Sequence, residues 1–202
     1  MLKMRIVQDQ DLSNPREFDE NWSLACAHRR HTLGDQDHIL GTDWESWKSQ
    51  LEKMGAFFRP VYMMDHSALT FKMEPFGGDY GRFDSGWVGF IFATREQLEK
   101  YKGWKKLTAA RIKILLKEFQ NELECYQAYV NGWGYGYQVV DIDPDENLDD
   151  EKNGEILESC YGYYEEDYCR QEGESMLATR KKQEEESAWV HAAQSNLVAA
   201  TA

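Results

Sequence analysis

Apolar positions run through this chain in short blocks whose period changes repeatedly, and each change predicts a new element. Arg5, Ile6 and Val7 read as a short first strand. Asn14-Pro15 follows as a turn or helix start, with Asn as the cap and Pro at the first helical position. Trp22 to His28 reads as a second strand or buried segment. Thr42 and Glu45 have capping-box spacing, and Trp44, Trp47, Leu51 and Met54 at three- and four-residue steps predict a helix over 43–53. The Phe-, Val-, Tyr- and Met-rich stretch 57–73, with His66-Ser67 in its middle, predicts two strands and a tight turn. Residues 76–81 read as a loop, and Trp87 to Phe92 as a strand. Thr94 and Gln97 start a short helix that runs to about Tyr101.

The longest periodic stretch begins at the N-cap Thr108. It places Ile112, Leu115, Leu116, Phe119, Leu123, Tyr126 and Val130 on one stripe and stops at Gly132. Tyr135, Tyr137, Val139 and Asp141 then alternate as a strand, residues 143–153 turn the chain, and residues 155–163 return antiparallel. From Asp167 the chain is helical to about Lys182, with Gly173 weakening the pattern. The Ala-rich remainder is expected to fray or stay disordered. Strands and helices mix without regular alternation, so the expected fold is α+β. It is a single domain over 1–170 that includes an acidic hairpin over 141–167, with one antiparallel sheet packed on the long helix over about 108–131, shorter helices besides, and a C-terminal helix or frayed tail over 171–202.

Charge adds what periodicity does not. The 202 residues carry a formal charge of −13, which argues against sequence-independent binding of nucleic-acid phosphates. The excess is local: residues 141–167 hold twelve acidic and one basic side chain, a net −11. Such a patch attracts a basic surface, with a reach of about 8 Å at physiological salt. A hydrophobic content of 42% excludes a disordered chain, and no apolar run approaches the length of a membrane span. The first residues lack the pattern of a secretory signal. A cytoplasmic protein with Cys26, Cys125, Cys160 and Cys169 reduced is therefore expected.

Several clusters carry candidate chemistry. Cys26, His28, His31, Asp35 and His38 are all metal-ligand types, but their spacing fits no zinc pattern, and Arg29-Arg30 sets positive charge beside them. The stronger reading of His28, Arg29 and Arg30 is an anion site, because guanidinium forks match phosphate or carboxylate oxygens. The competing reading pairs an arginine internally with Asp35, Asp65 or Asp84. Asp65-His66-Ser67 and Asp84-Ser85-Gly86 look like hydrolase fragments without a nucleophile elbow, and Asp or Ser before a strand is commonly a turn residue. Asp141, Asp143, Asp145, Asn147 and Asp149 begin like a calcium loop. That loop fails at Glu146, where Gly is needed, and at Lys152, where a bidentate Glu is needed. Tyr126, Tyr129, Trp133, Tyr135 and Tyr137, with Tyr161, Tyr163, Tyr164 and Tyr168, read first as sheet-face core and otherwise as a contact surface. Lys100, Lys102, Trp104, Lys105 and Lys106 form a small basic-aromatic segment, read as a solvated loop.

Five motifs in one order carry a resemblance: Asn14-Pro15-Arg16-Glu17; His28-Arg29-Arg30 with Leu33-Gly34-Asp35; Asp65-His66-Ser67; Asp84-Ser85-Gly86 with Val88-Gly89-Phe90-Ile91; and Tyr126-Gln127-x-Tyr129-x-x-Gly132 with Tyr135-Gly136-Tyr137. Over residues 5–170 the chain resembles a family of small proteins encoded by tailed bacteriophages and related mobile elements. His31 and Trp87 stand where that family often has an aromatic and a Gln, and the acidic hairpin and the tail look particular to this chain. The resemblance implies a phage accessory protein in a bacterial cytoplasm and names no catalytic residue.

Together these readings set two expectations. The first is a non-enzymatic inhibitor of a host defence or nucleic-acid-binding protein, whose acidic residues Asp143, Asp145, Glu146, Asp149, Asp150 and Glu151 meet a basic partner surface. The second is a binder or hydrolase of a nucleotide-like molecule through His28, Arg29, Arg30, Asp65, His66, Asp84 and Ser85. No cofactor or metal, no direct nucleic-acid binding and no membrane are expected, and a homo-oligomer is compatible with the sequence.

Overall fold

The computed structural model describes residues 1–18, 22–35, 43–77 and 84–201, with side chains through residue 194. The fold is α+β, and the strands form two antiparallel sheets where the periodicity suggests one. The chain divides into two compact units, Ser13–Gly132 and Met1–Leu12 with Trp133–Ala202. No helix among the described residues is long and apolar enough to cross a membrane.

In the unit Ser13–Gly132, strands β2 (Ser23–Cys26), β3 (Phe57–Asp65), β4 (Leu69–Lys72) and β5 (Ser85–Ala93) form a sheet in the order β2-β5-β3-β4. The apolar run of β5 fits a central strand covered on both faces. Helix α3 (Ala109–Val130) lays Leu115, Phe119, Leu123 and Tyr126 against Ile91, Ala93 and Val61. Helix α1 (Trp44–Lys53) sets Trp47 and Leu51 against Phe90 and Phe92. A bulge at Val88 breaks the alternation, since Val61 faces Gly89 while Tyr62 faces Trp87. The extra residue turns Trp87 to the same face as Phe90, with ring centroids 5.5 Å apart. Each large side chain fully buried here contributes about 1.5–3 kcal/mol.

Helix ends follow their caps. Asp43 caps α1 by accepting from the Ser46 N–H at 2.9 Å; the expected cap Thr42 lies outside the described residues. Thr94 and Gln97 complete the capping box of α2 (Arg95–Lys102), which ends at Gly103 in the left-handed region. Thr108 caps α3, whose C-cap is Asn131, one residue before Gly132 at φ +68°.

In the other unit, β1 (Leu2–Asp9), β6 (Gly134–Asp141) and β7 (Glu155–Tyr163) form a sheet in the order β1-β6-β7. Helix α4 (Glu166–Thr201) packs Cys169 with Met176 and Leu177 against Met4, Ile6, Tyr137 and Val139. The expected frayed tail is helix in the structure. From residue 181 to 194 every described side chain of that helix is exposed, so its length comes from helix-forming residues rather than from burial.

Gly173, which weakens the sequence pattern, has a packing reason. A Cβ there would lie 2.9 Å from Tyr137 Cβ and 3.1 Å from Met4 Cγ, so the glycine brings α4 onto the sheet. In an open helix Gly→Ala stabilises by about 1 kcal/mol. Here Gly173→Ala is expected to destabilise by about 1–3 kcal/mol through overpacking, measured by urea unfolding. A stabilised variant would show that α4 does not seat at this position.

Candidate functional site

The acidic hairpin is organised by a residue that sequence reasoning passed over. Register pairs Arg5 with Gln138, and strand alternation puts both on the sheet face opposite Met4 and Ile6. Arg5 is only 5% exposed. A guanidinium in that position needs acceptors around its whole plane, because an unpaired buried charge costs several kcal/mol. Nε donates to Gln138 Oε1 at 2.8 Å, Nη1 to the carbonyls of Asp150 at 2.9 Å, Asn153 at 3.0 Å and Leu148 at 3.4 Å, and Nη2 to the carbonyl of Glu151 at 2.9 Å.

The acidic loop thus wraps its backbone carbonyls around a cation. Four carbonyls turn inward, and the carboxylates of Asp143, Asp145, Glu146, Asp149, Asp150 and Glu151 lie on exposed residues. Asn147 Oδ1 accepts from the Asp149 N–H at 3.1 Å, and Asp150 Oδ1 from the Lys152 N–H at 3.1 Å. These are Asx turns that shape the loop locally. Gln138 continues the network by donating from Nε2 to the Tyr161 hydroxyl at 2.7 Å. That ring lies over Gly136, where a Cβ would stand 2.3 Å from Tyr161 Cδ1. The result is a shaped backbone that carries exposed carboxylates able to take hydrogen bonds from lysines and arginines. The only signal for Arg5 in the sequence is a lone arginine inside an apolar strand; its partner Gln138, 133 residues away, is given by the strand register.

The second candidate cluster belongs to the unit Ser13–Gly132. The segment after β2 and the β3–β4 turn bring His28, Arg30, His31 and Asp65 together. Asp65 Oδ2 lies 2.7 Å from Arg30 Nη2 and 2.9 Å from His31 Nε2, and the His28 and His31 rings stack at 5.1 Å. Asp65 also donates its N–H to the Asp84 carbonyl at 2.8 Å. The hydrogen bond from His31, then Arg30, hold the Asp65 carboxyl below its ordinary range. Burial, with His31 and Arg30 as neighbours, lowers His28.

Arg30 pairs with Asp65 at the surface, with 70% of its side chain exposed, and Arg29 is exposed as well. His66 Nδ1 reaches Asp84 Oδ2 only at 3.5 Å, with both side chains well exposed, and Ser85 opens β5 opposite Met64. A cavity of about 240 Å³ beside the cluster is lined by Cys26, His28, His31 and Asp35 among others. Burial pushes the Cys26 thiol up to about 12, so it is protonated at neutral pH. Among the described residues no three His, Cys, Asp or Glu side chains are placed to hold a metal ion; His38 lies outside them. In the basic-aromatic segment, Lys102 pairs with Glu118 at 2.7 Å and Arg111 lies over the Trp104 ring at 5.3 Å.

Asp35 belongs to another network. Arg16 donates from Nε to Asp35 Oδ1 and from Nη1 to Glu122 Oε2, each at 2.8 Å, and from Nη2 to the Trp22 carbonyl. Burial by itself lowers the pKa of Arg16, and the bonds and charges of Asp35 and Glu122 more than offset it.

Comparison with protein-family models, with curated proteins and with solved structures finds no match to this chain.

Two outcomes test this geometry. Arg5→Met is expected to cost about 2–4 kcal/mol and to speed amide exchange across residues 143–153, with Arg5→Lys restoring only part because it lacks the planar fork. Unchanged loop exchange would mean that the loop holds its shape without the guanidinium. For the second, Asp65 has a folded pKa below its unfolded one, so its stabilisation is complete above the ordinary Asp value and is lost as pH falls through the folded value. The Tm gap between the native chain and Asp65→Asn should be present above the ordinary Asp range and close as pH falls below it. A gap that persists at the acid end would remove the ionic role of Asp65.

Proposed function

We propose that this protein is a non-enzymatic binding protein whose acidic loop occupies a basic, nucleic-acid-binding surface on a partner protein. We further propose that it is a phage-encoded accessory protein directed at a host defence or nucleic-acid-binding protein in the bacterial cytoplasm. The observation that carries the reading is the ring of backbone carbonyls around Arg5, which leaves the loop carboxylates facing outward on a pre-shaped backbone. A loop already ordered before encounter loses less conformational entropy on binding. Net charge concentrated in one segment speeds association with a basic face and makes it salt-dependent. Duplex DNA carries about one charge per 1.7 Å of axis, so a basic DNA-binding face is a suitable target for clustered carboxylates. Exposed Trp133, Tyr161 and Tyr168 supply apolar contact area in the same unit. The phage origin rests on the sequence motifs.

The test is competition. Labelled duplex is bound to each of a panel of purified defence nucleases and other DNA-binding proteins, and this protein is titrated in. Release of duplex from at least one of them is expected, weakened about tenfold by the triple reversal Asp149→Lys, Asp150→Lys, Glu151→Lys and by added salt. Failure to displace duplex from any member, or displacement indifferent to the reversal, would overturn the reading.

A further inference from the structure

An antiparallel strand directs the N–H and C=O of every second residue to its neighbour and those of the residues between to the other side, so an edge strand offers a row of open hydrogen-bonding groups. The other sheet edges of this protein are closed or blunted. The β2 edge is covered by residues 34–35: the Asp35 N–H donates to the Leu24 carbonyl at 2.7 Å, and Asp35 Oδ2 accepts from the Leu24 N–H at 2.7 Å. The β4 edge is capped by α3 side chains, with Asn131 bonding both main-chain groups of Leu69 and Gln127 accepting from the Phe71 N–H. The β7 edge is irregular, with two register shifts against β6, and bulges of this kind blunt an edge.

The β1 edge differs. Its eight residues pair with β6 without a break, and among the described residues the main chain of Met4–Val7 has hydrogen-bond partners only on β6. A groove of about 590 Å³ runs along Met4–Gln8. Leu148 and Asp149 of the acidic loop line it together with Glu166 and Arg170 of α4, and Trp133, 41% exposed, stands at the Gln8 end.

Resting on the reading above, we propose that the β1 edge binds an extended basic segment of the partner protein as a fourth strand of this sheet. Main-chain hydrogen bonds to β1 would give the segment its register. Its side chains would alternate between the acidic loop and α4. Charge selects the occupant: Asp149 and Glu166, one on each wall, belong to the 141–167 segment of net charge −11, while Arg170 is held by Glu166 at 2.7 Å and the Arg5 guanidinium is taken up by Gln138 and the loop carbonyls. A lysine- or arginine-bearing strand is attracted there. A second copy of this chain would bring two such segments together and be repelled.

The probe is a short synthetic peptide of alternating lysine and valine, compared with the same peptide N-methylated at every second residue. Methylation removes the amide donors along one edge and leaves the charge unchanged. Calorimetry and amide hydrogen exchange on the full chain are expected to show binding of the first peptide and slowed exchange of alternate amides over Met4–Val7. Affinity for the methylated peptide should be about tenfold weaker, and Asp149→Lys should weaken the unmethylated one. Equal affinities, or protection confined to residues 143–153, would overturn strand addition and leave the acidic-surface reading standing. So would failure to bind either peptide while duplex displacement persists; loss of displacement as well would remove both. A concentration-dependent dimer that protects β1 without peptide would assign the edge to a second copy and overturn the proposal.

Discussion

A guanidinium cannot be buried without a complete set of acceptors, and this requirement organises both compact units. In one, Arg5 stands in a strand between Met4 and Ile6 and is met by Gln138 and by four carbonyls of the acidic loop. In the other, Arg16 is met by Asp35, Glu122 and the Trp22 carbonyl. The two solutions differ in kind. Arg16 uses carboxylates, which neutralise it and join three distant segments. Arg5 uses neutral carbonyl dipoles, so no carboxylate of the loop is drawn into an ion pair with it.

The motifs read from the sequence fall mostly on the Arg16 side of that difference. Much of that motif set serves the fold. Asn14 caps a 3-10 turn with Pro15 at its start, which places Arg16. Gly34 takes φ +70° at a site where a Cβ would stand 2.5 Å from the Leu24 carbonyl, and it delivers Asp35 to Arg16. The Tyr126 hydroxyl accepts from the Gly34 N–H at 2.8 Å, and Gln127 and Asn131 close the β4 edge. Gly89 lets β2 and β5 approach where a Cβ would lie 1.9 Å from the Ala25 carbonyl. Paired arginines beside histidines look like an anion site in sequence, yet Arg30 and His31 share Asp65. The acidic loop lies outside these motifs.

Edges and faces make the same point about control. The carboxylates that crowd the loop cannot neutralise one another, and Arg5 contributes the positive charge and the geometry that let them sit together without collapse. The regular β1 strand carries Arg5 and also borders the groove, so the residue that shapes the acidic surface lies in the strand whose outer edge is open. Any change in the register of β1 against β6 would move both features at once.

Periodicity was enough to read most of the elements. The stripe from Ile112 to Val130, the capping pair Thr94 and Gln97, and the alternation through Tyr135 to Asp141 each match a helix or strand of the structure, because local propensity and burial agree there. The concentration of charge in 141–167 was legible as well, since it depends on composition alone. Sequence could not divide the strands into two sheets, because pairing partners such as Arg5 and Gln138 lie far apart in the chain and alternation is silent about which strands meet. Nor could it show that Gly173 lies against Tyr137, or that helix continues through the Ala-rich end. Which arginines are buried, which carboxylates remain free and which edge stays open were decided by tertiary structure, because each depends on what the fold sets opposite a polar group.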